Sequence, residues 1–296
     1  MRTIPRSTMR PALLLVLALV ALPALAAMLT ERYFFEVPRE GESALEADLD
    51  LALGRVTVGK AEAGYLFQAE VSLEDESMVP EMQYERDGRT GRLSLGFESG
   101  GKENGGLTVR GFKFPEENEW LLFFSDEVDL DLAFELGMAE ADLDFTGLRI
   151  EQLSVESGMA KTELVFEEPN PVTMESFEID AGMSKLVGRK LGNARFEQFT
   201  FDGGAGAFEL DFTGGPLPPG AEANIDVGVS SLQVTLPQEA PVILYAPDSW
   251  LARVDVPNGF TKRGSGIWHS AHVEREEDAF SVRIEAGLGK VAVNVE

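Results

Sequence analysis

Apolar and polar residues alternate with a period of two along most of this chain. Leu45, Ala47, Leu49, Leu51 and Leu53 alternate with Glu46, Asp48 and Asp50. Val128, Leu130, Leu132, Phe134 and Leu136 alternate with Asp129, Asp131 and Glu135. That period belongs to a β-strand with one buried face. No stretch of comparable length has helical spacing, so the pattern predicts an all-β protein.

The phase of the alternation switches at glycines. Even-numbered apolar positions up to Leu136 give way, after Gly137, to Ala139, Ala141, Leu143 and Phe145. The same switch follows Gly158 (Leu153 and Val155, then Leu164 and Phe166), Gly182 (Phe177 and Ile179, then Leu186) and Gly203-Gly204 (Phe199 and Phe201, then Phe208, Leu210 and Phe212). It recurs at Gly228 (Ile225 and Val227, then Leu232, Val234 and Leu236) and at Gly287 and Gly289 (Val282 and Ile284, then Val291, Val293 and Val295). It also occurs at Gly54, between Leu53 and Val56. In a straight strand a one-residue slip turns the apolar face outward. A corner or bulge absorbs the extra residue and keeps both halves on one core. Glycine suits that point through positive φ or close backbone approach. Each unit therefore reads as strand, glycine corner, strand.

Gly137, Gly158, Gly182, Gly204 and Gly228 lie 21, 24, 22 and 24 residues apart. A period of about 22 residues predicts a single β-solenoid whose turns stack on their neighbours. The alternative is a β-sandwich of successive hairpins, which also produces regular turns. Leucine-rich repeats share the period but not the Leu and Asn spacing. The division expected is a leader over 1–26, an irregular N-terminal β cap over 27–125 and a regular repeat body over 126–296, cap and body forming one domain. Asp87-Gly88, between Tyr84 and Leu93, reads as a hairpin turn; the other breaks, the glycine-rich stretch Gly96 to Gly106, Pro115-Glu116-Glu117-Asn118, Pro169-Asn170-Pro171 and Gly214 to Gly220, read as loops between rungs.

The leader changes the setting. Arg2, Arg6 and Arg10 precede the apolar run Leu13 to Leu22; Pro23 follows, then Ala24-Leu25-Ala26. This is the layout of a cleavable secretory signal peptide, too short for the ~20 apolar residues of a comfortable membrane span. An uncleaved anchor is the alternative. The chain has no cysteine, which removes disulfides, thiolate metal sites, a cysteine nucleophile and a lipidated N-terminal cysteine. An exported chain without disulfides is held by its core, and at this length ~75% of the extended surface can be buried. The formal net charge is −26; the leader holds three arginines and no acid, so the remainder stands at −29. Such a surface repels a phosphate backbone and excludes nucleic acid as a partner. It also favours solubility and a loose cation atmosphere.

Several segments together resemble a known family: the Leu-rich strand with Gly54, Asn118-Glu119-Trp120-Leu121, Asp129-Leu130-Asp131-Leu132, Gly137-Met138-Ala139 and Gly158-Met159-Ala160, Leu143-Asp144-Phe145-Thr146-Gly147-Leu148, and the closing Ala286 to Val293. Over residues 40 to 296 the chain is similar to the "toastrack" β-repeat domain of LiaF-like cell-wall-active antibiotic response proteins and of candidate bacterial adhesins. The resemblance implies an extracytoplasmic β-solenoid tied to envelope stress sensing or adhesion, with no catalytic residues to carry over. LiaF-like proteins carry membrane helices ahead of this domain; here only a leader precedes it.

Chemical motifs are sparse. Gly54 to Ala61 approaches a phosphate loop but lacks the Ser/Thr that binds Mg²⁺ and alternates like a strand. Gly287-Leu288-Gly289-Lys290-Val291-Ala292 fits a dinucleotide fingerprint, yet the required helix and distal acid cannot follow before Glu296. Gly203 to Phe208 resembles the calcium nonapeptide repeat with Phe208 in place of the ligating Asp. His269 and His272, three apart, point to opposite faces of a strand and make no metal pair; they read as surface or interface residues near Trp268. Asp142 with Asp144, and Asp129 with Asp131, share a face at a spacing a glycosidase could use, but acids fill nearly every outward position. Weak divalent-cation binding along an acid ladder is the most specific chemistry they support. No catalytic, cofactor or metal residue is assigned. The expectation is an exported, periplasmic or extracellular, non-enzymatic β-repeat protein binding or scaffolding an envelope protein or glycan, without a cofactor. The alternatives are a polysaccharide-active β-helix enzyme, against which the scattered eight lysines argue, and a regulator of envelope stress signalling.

Overall fold

Sixteen residues at ~3.3 Å each would carry a straight strand about 50 Å, yet the strand Asp129–Asp144 is joined to the next, Arg149–Val165, by only Phe145-Thr146-Gly147-Leu148. A link that short spans ~18 Å at most, and the two strands pair in parallel with their starts side by side, so the first must double back on itself to reach the start of the second. The structure is a computed structural model and describes residues 31–74, 78–97, 118–246 and 252–296. The expected leader, residues 98–106 of the glycine-rich stretch and Pro115-Glu116-Glu117 lie outside the described residues.

The strands are β1 (Glu31–Pro38), β2 (Ala44–Lys60), β3 (Tyr65–Leu73), β4 (Pro80–Asp87), β5 (Thr90–Phe97), β6 (Glu119–Phe124), β7 (Asp129–Asp144) and β8 (Arg149–Val165). They continue as β9 (Met174–Arg189), β10 (Phe196–Asp211), β11 (Glu222–Leu236), β12 (Val242–Tyr245), β13 (Ala252–Asp255), β14 (Thr261–Gly264), β15 (Ile267–His269) and β16 (Phe280–Val295). The long strands β2, β7, β8, β9, β10, β11 and β16 stack parallel in that order. The fold is a single all-β solenoid built on one continuous sheet, not a sandwich of two.

Both ends of the stack are closed by split rungs. The first half of β2 pairs with β5 and its second half with β6. The first half of β16 pairs with β12 and its second half with β13. Antiparallel strands then cover these: β4 on β5, β3 on β6, β1 on β3, and β15 on β12 with β14 beyond it. Capping strands of this kind limit the exposed ladder that a solenoid end otherwise presents.

Inside, one phenylalanine spine runs along the axis. Phe67, Phe124, Phe134, Phe145, Phe166, Phe177, Phe196, Phe212 and Phe280 succeed one another with ring centroids 5.2 to 6.5 Å apart. Tilted and edge-on contacts at that range add about 0.5–1.5 kcal/mol each beyond burial. Buried asparagines fasten the return loops to their neighbours. Asn170 donates to the carbonyls of Ile150 (2.7 Å) and Ala194 (3.1 Å) and accepts from the Ile150 N–H. Asn193 donates to the Phe166 carbonyl and accepts from the Gly215 N–H. Asn118 accepts from the Glu74 N–H (3.0 Å).

The parity switch takes place as the sequence implies. In β9, Phe177, Ile179 and Ala181 are buried, Gly182 and Met183 are not, and Ser184 and Leu186 are buried again. In β2, however, the two outward residues are Ala52 and Leu53, and Ala52 is level with Gly137. The first corner thus falls at Ala52 rather than at Gly54. Gly54 sits just inside it, at φ +123°, where an added Cβ would lie 2.5 Å from the Asn118 carbonyl oxygen.

Candidate functional site

The corners stack into one edge running the length of the solenoid. Gly137, Gly158, Gly182, Gly204, Gly228 and Gly287 follow one another there, and none has positive φ. Close approach is their reason: a Cβ on Gly158, Gly182, Gly204, Gly228 or Gly287 would come within 2.7 to 3.1 Å of the preceding glycine's carbonyl oxygen. The next position but one turns into the bend and is small in every coil: Gly54, Ala139, Ala160, Ser184, Gly206, Ser230 and Gly289.

Two outward rows flank this edge. Two positions before the corner stand Asp50, Glu135, Glu156, Asp180, Asp202, Asp226 and Glu285, paired rung to rung and all exposed. At the strand spacing of ~4.8 Å, seven rungs make a carboxylate ladder about 29 Å long. Among the described residues no ion pair involves any of the seven. Other acids are answered across the rungs: Asp129 by Arg149 (2.7 Å), Glu140 by Lys161 (2.6 Å) and Arg55 (3.3 Å), Glu163 by Arg189 (2.6 Å), and Glu167 by Lys190. Partial burial, with Asp226 and Asp180 on either side, raises the Asp202 carboxyl above its ordinary value.

One position after the corner stand Leu53, Met138, Met159, Met183, Ala205, Val229 and Leu288. Met159 and Met183 are level because Ser157 opposes Ala181 and Lys161 opposes Lys185. Five large apolar side chains are exposed among the described residues, and three belong to this row: Met183 (65%), Val229 (63%) and Leu288 (54%). An apolar row shared by every coil is a patch rather than scatter. Between the rows the edge carries no side chain beyond the Ala52 methyl, leaving an open groove of ≈390 Å³ whose lining includes Asp50, Glu135, Glu156 and Asp180 with Ala52, Gly137, Gly158 and Gly182.

The residues singled out from sequence do not converge. Gly54 to Ala61 lies within β2, and Gly287 to Ala292 within β16. Gly203 is side-chain-free because Phe208, buried and edge-on to Phe201 at 5.1 Å, fills the space its Cβ would take. His269 faces Glu276 (4.0 Å) and His272 faces Glu239 (3.9 Å). Asp129 holds Arg149, Asp144 accepts from the Thr146 N–H (2.9 Å), and burial raises the Asp131 carboxyl, with Glu46 and Asp48 adding to it. Among the described residues no group of three or more His, Asp or Glu is placed to hold a metal ion, and no helix is long and apolar enough to cross a membrane. The two flanking rows escaped the sequence reading. Their signal is present once β7 to β11 and β16 are aligned on the corner glycine, where the residue two before is acidic each time.

Residues 28–187 match the family described as the N-terminal domain of toast_rack, DUF2154. No curated protein matches the sequence significantly. Among solved structures, the chain is similar to a candidate cell adhesion protein from Clostridium sporogenes (17% identity, 90% of this chain and 100% of that one, TM-score 0.44). It is also similar to a candidate adhesin from Bacteroides fragilis (11% identity, 89% and 97%, TM-score 0.34).

Proposed function

The chain belongs to the toast_rack family, and from that premise we propose that it is an exported, non-enzymatic protein that binds or scaffolds an envelope protein or glycan, in adhesion or envelope stress sensing. The observation that carries this reading is the form of the outer surface. Its polar groups run in straight ladders, one per rung, rather than meeting around a reacting atom as acids, bases and nucleophiles must. Long regular faces of this kind suit extended partners. The leader over 1–26, the N-terminal region over 27–125 and the body over 126–296 are part of the same proposal, as is a periplasmic or extracellular location.

The test is made in intact cells with the full chain. Photo-crosslinking from outward positions of β7 to β11, with glycan pull-down in parallel, is expected to recover a discrete envelope partner. A chain that stays in the cytoplasmic fraction, or that remains uncrosslinked and unretained, overturns the reading. Cleavage of uronic-acid polymers by the purified chain, with or without Ca²⁺, would replace it by an enzymatic one.

A further inference from the structure

We propose that the corner edge is a docking surface for a cationic amphipathic helix of about five turns, laid along the solenoid axis. Three observations on the molecule fix this occupant. The first is charge. Seven carboxylates repeat at one strand position, and among the described residues none of them makes an ion pair, although like charges directly opposite across strands are destabilising. The rows with Glu140 and Glu163, by contrast, are ion-paired within the molecule. What sets this row apart from the other outward rows is that it is acidic in all seven coils, with no base interleaved; an unbroken line of carboxylates is complemented by an external cationic partner. It also repels a second copy of the same edge and an anionic bilayer.

The second is the apolar row that accompanies the ladder in every coil, most exposed at Met183, Val229 and Leu288. Methionine in such a row adapts to different apolar partners. The third is dimension. Asp180 and Met183 are three residues apart, at most ~11 Å along the chain, which matches the 10–12 Å breadth of a helix with its side chains. Along the axis, rungs repeat every ~4.8 Å, close to the 5.4 Å pitch that places one helical side chain per turn. An extended peptide repeats its like-facing side chains every ~6.8 Å and falls out of step sooner. About 19 helical residues cover the 29 Å of the ladder. Such a helix would rest its apolar face on the methionine row and its basic face on the carboxylates, above glycines that offer no side chain in the way.

This inference rests on the binding role proposed above. The probe is a synthetic helix of about 19 residues, at 1.5 Å each, with leucine on one face and lysine on the other. Its binding to the full chain is followed by fluorescence anisotropy at ~0.15 M salt, where exposed charges beyond ~8 Å are screened. Two controls replace every lysine by glutamate or every leucine by serine. The leucine–lysine helix is expected to bind and both controls to fail. Asp180→Asn with Asp202→Asn and Asp226→Asn should weaken it about tenfold or more, as should Met183→Ser with Val229→Ser and Leu288→Ser. Glu175→Gln with Glu197→Gln and Glu222→Gln removes the same charge from exposed sites away from the edge and should change binding less than about twofold. Thermal melts confirm that each variant is folded. Equal binding of the serine control, or equal weakening by the distant glutamine set, reduces the effect to bulk charge and overturns the proposal. Failure of the peptide while a partner is still crosslinked in the envelope removes this edge alone and leaves the broader reading standing.

Discussion

Single buried polar side chains fix the geometry that the alternating pattern leaves free. Asn170 sits between two prolines in a stretch that reads as a plain loop, yet its amide spans two coils through the carbonyls of Ile150 and Ala194. Removing it strands these carbonyls in a dry interior, so Asn170→Ala should cost about 2–3 kcal/mol in urea unfolding. Nothing in the local sequence marks it, because its partners lie 20 and 24 residues away. Glu42 is a second case. It is buried in the N-terminal region, where burial alone would raise its carboxyl. The backbone N–H groups of Glu40 and Glu42 itself, the Tyr84 hydroxyl and Arg86 outweigh that and hold it below the ordinary value. Its stabilising contribution is therefore full above the unfolded value of ~4.3 and is lost as pH falls through the depressed folded value. Glu42→Gln should lower stability by about 1–3 kcal/mol at neutral pH, and the gap from wild type should close in acid. A gap that persists below the folded value would mean that the loss is steric. Burial, and after it the charge of the same Glu42, pushes the Tyr84 hydroxyl up to about 12.

At the scale of the strand, the bend is a matter of backbone contact. The parity switch at each glycine is readable from sequence and locates six of the seven corners, but sequence gives two reasons for a glycine, and only one applies at the edge. The corner glycines have negative or extended φ, and what they supply is room for the neighbouring carbonyl. Gly204→Ala would place a methyl 2.7 Å from the Gly182 oxygen, with rigid backbone on both sides, and should cost about 1–3 kcal/mol. Gly88→Ala tests the contrast: nothing lies within 4 Å of its Cβ, but its φ is +64°, so its cost is local conformational strain of about 1 kcal/mol or more in one hairpin turn. Hydrogen exchange separates the two: protection should fall in β9, β10 and β11 for the first and only around β4 and β5 for the second. Ala52 shows why the first corner was misplaced by sequence. A corner glycine makes room for the carbonyl of the preceding coil; before β2 that rung is split, β5 pairing up to Leu49 and β6 from Arg55, so among the described residues no paired strand stands beside Ala52 on that side and its methyl is accommodated.

For the whole molecule, order in the sequence and order in space part company at both ends. The period identifies the coils from β7 to β11, whose links are short and local. It cannot show that β2 lies between β7 and the later strands β5 and β6, or that the last strand, β16, slides between β11 and the earlier β12 and β13. Strand insertion carries no local signature, since the pairing partners are set by edges left open elsewhere. The flanking acidic and apolar rows belong to this scale too: each coil contributes one residue, and only the register makes them a surface. The inserted strand has a consequence for stability. In a stack governed by nearest neighbours, loss of a terminal coil removes one interface, whereas loss of β16 removes two. A chain ending at Ala279 should keep the coils from β2 to β11, with Ile225, Val227, Leu232 and Val234 newly uncovered on one side. It should lose β12 and β13 altogether, because their only parallel neighbour is gone, and with β12 the antiparallel β15 and β14. Hydrogen exchange should therefore show residues 242–245 and 261–269 at unfolded rates while Leu153, Phe177 and Phe199 remain protected. Protection retained at 242–245 would mean that β12 had closed directly onto β11, which would make the inserted strand a late addition to a stack already complete without it.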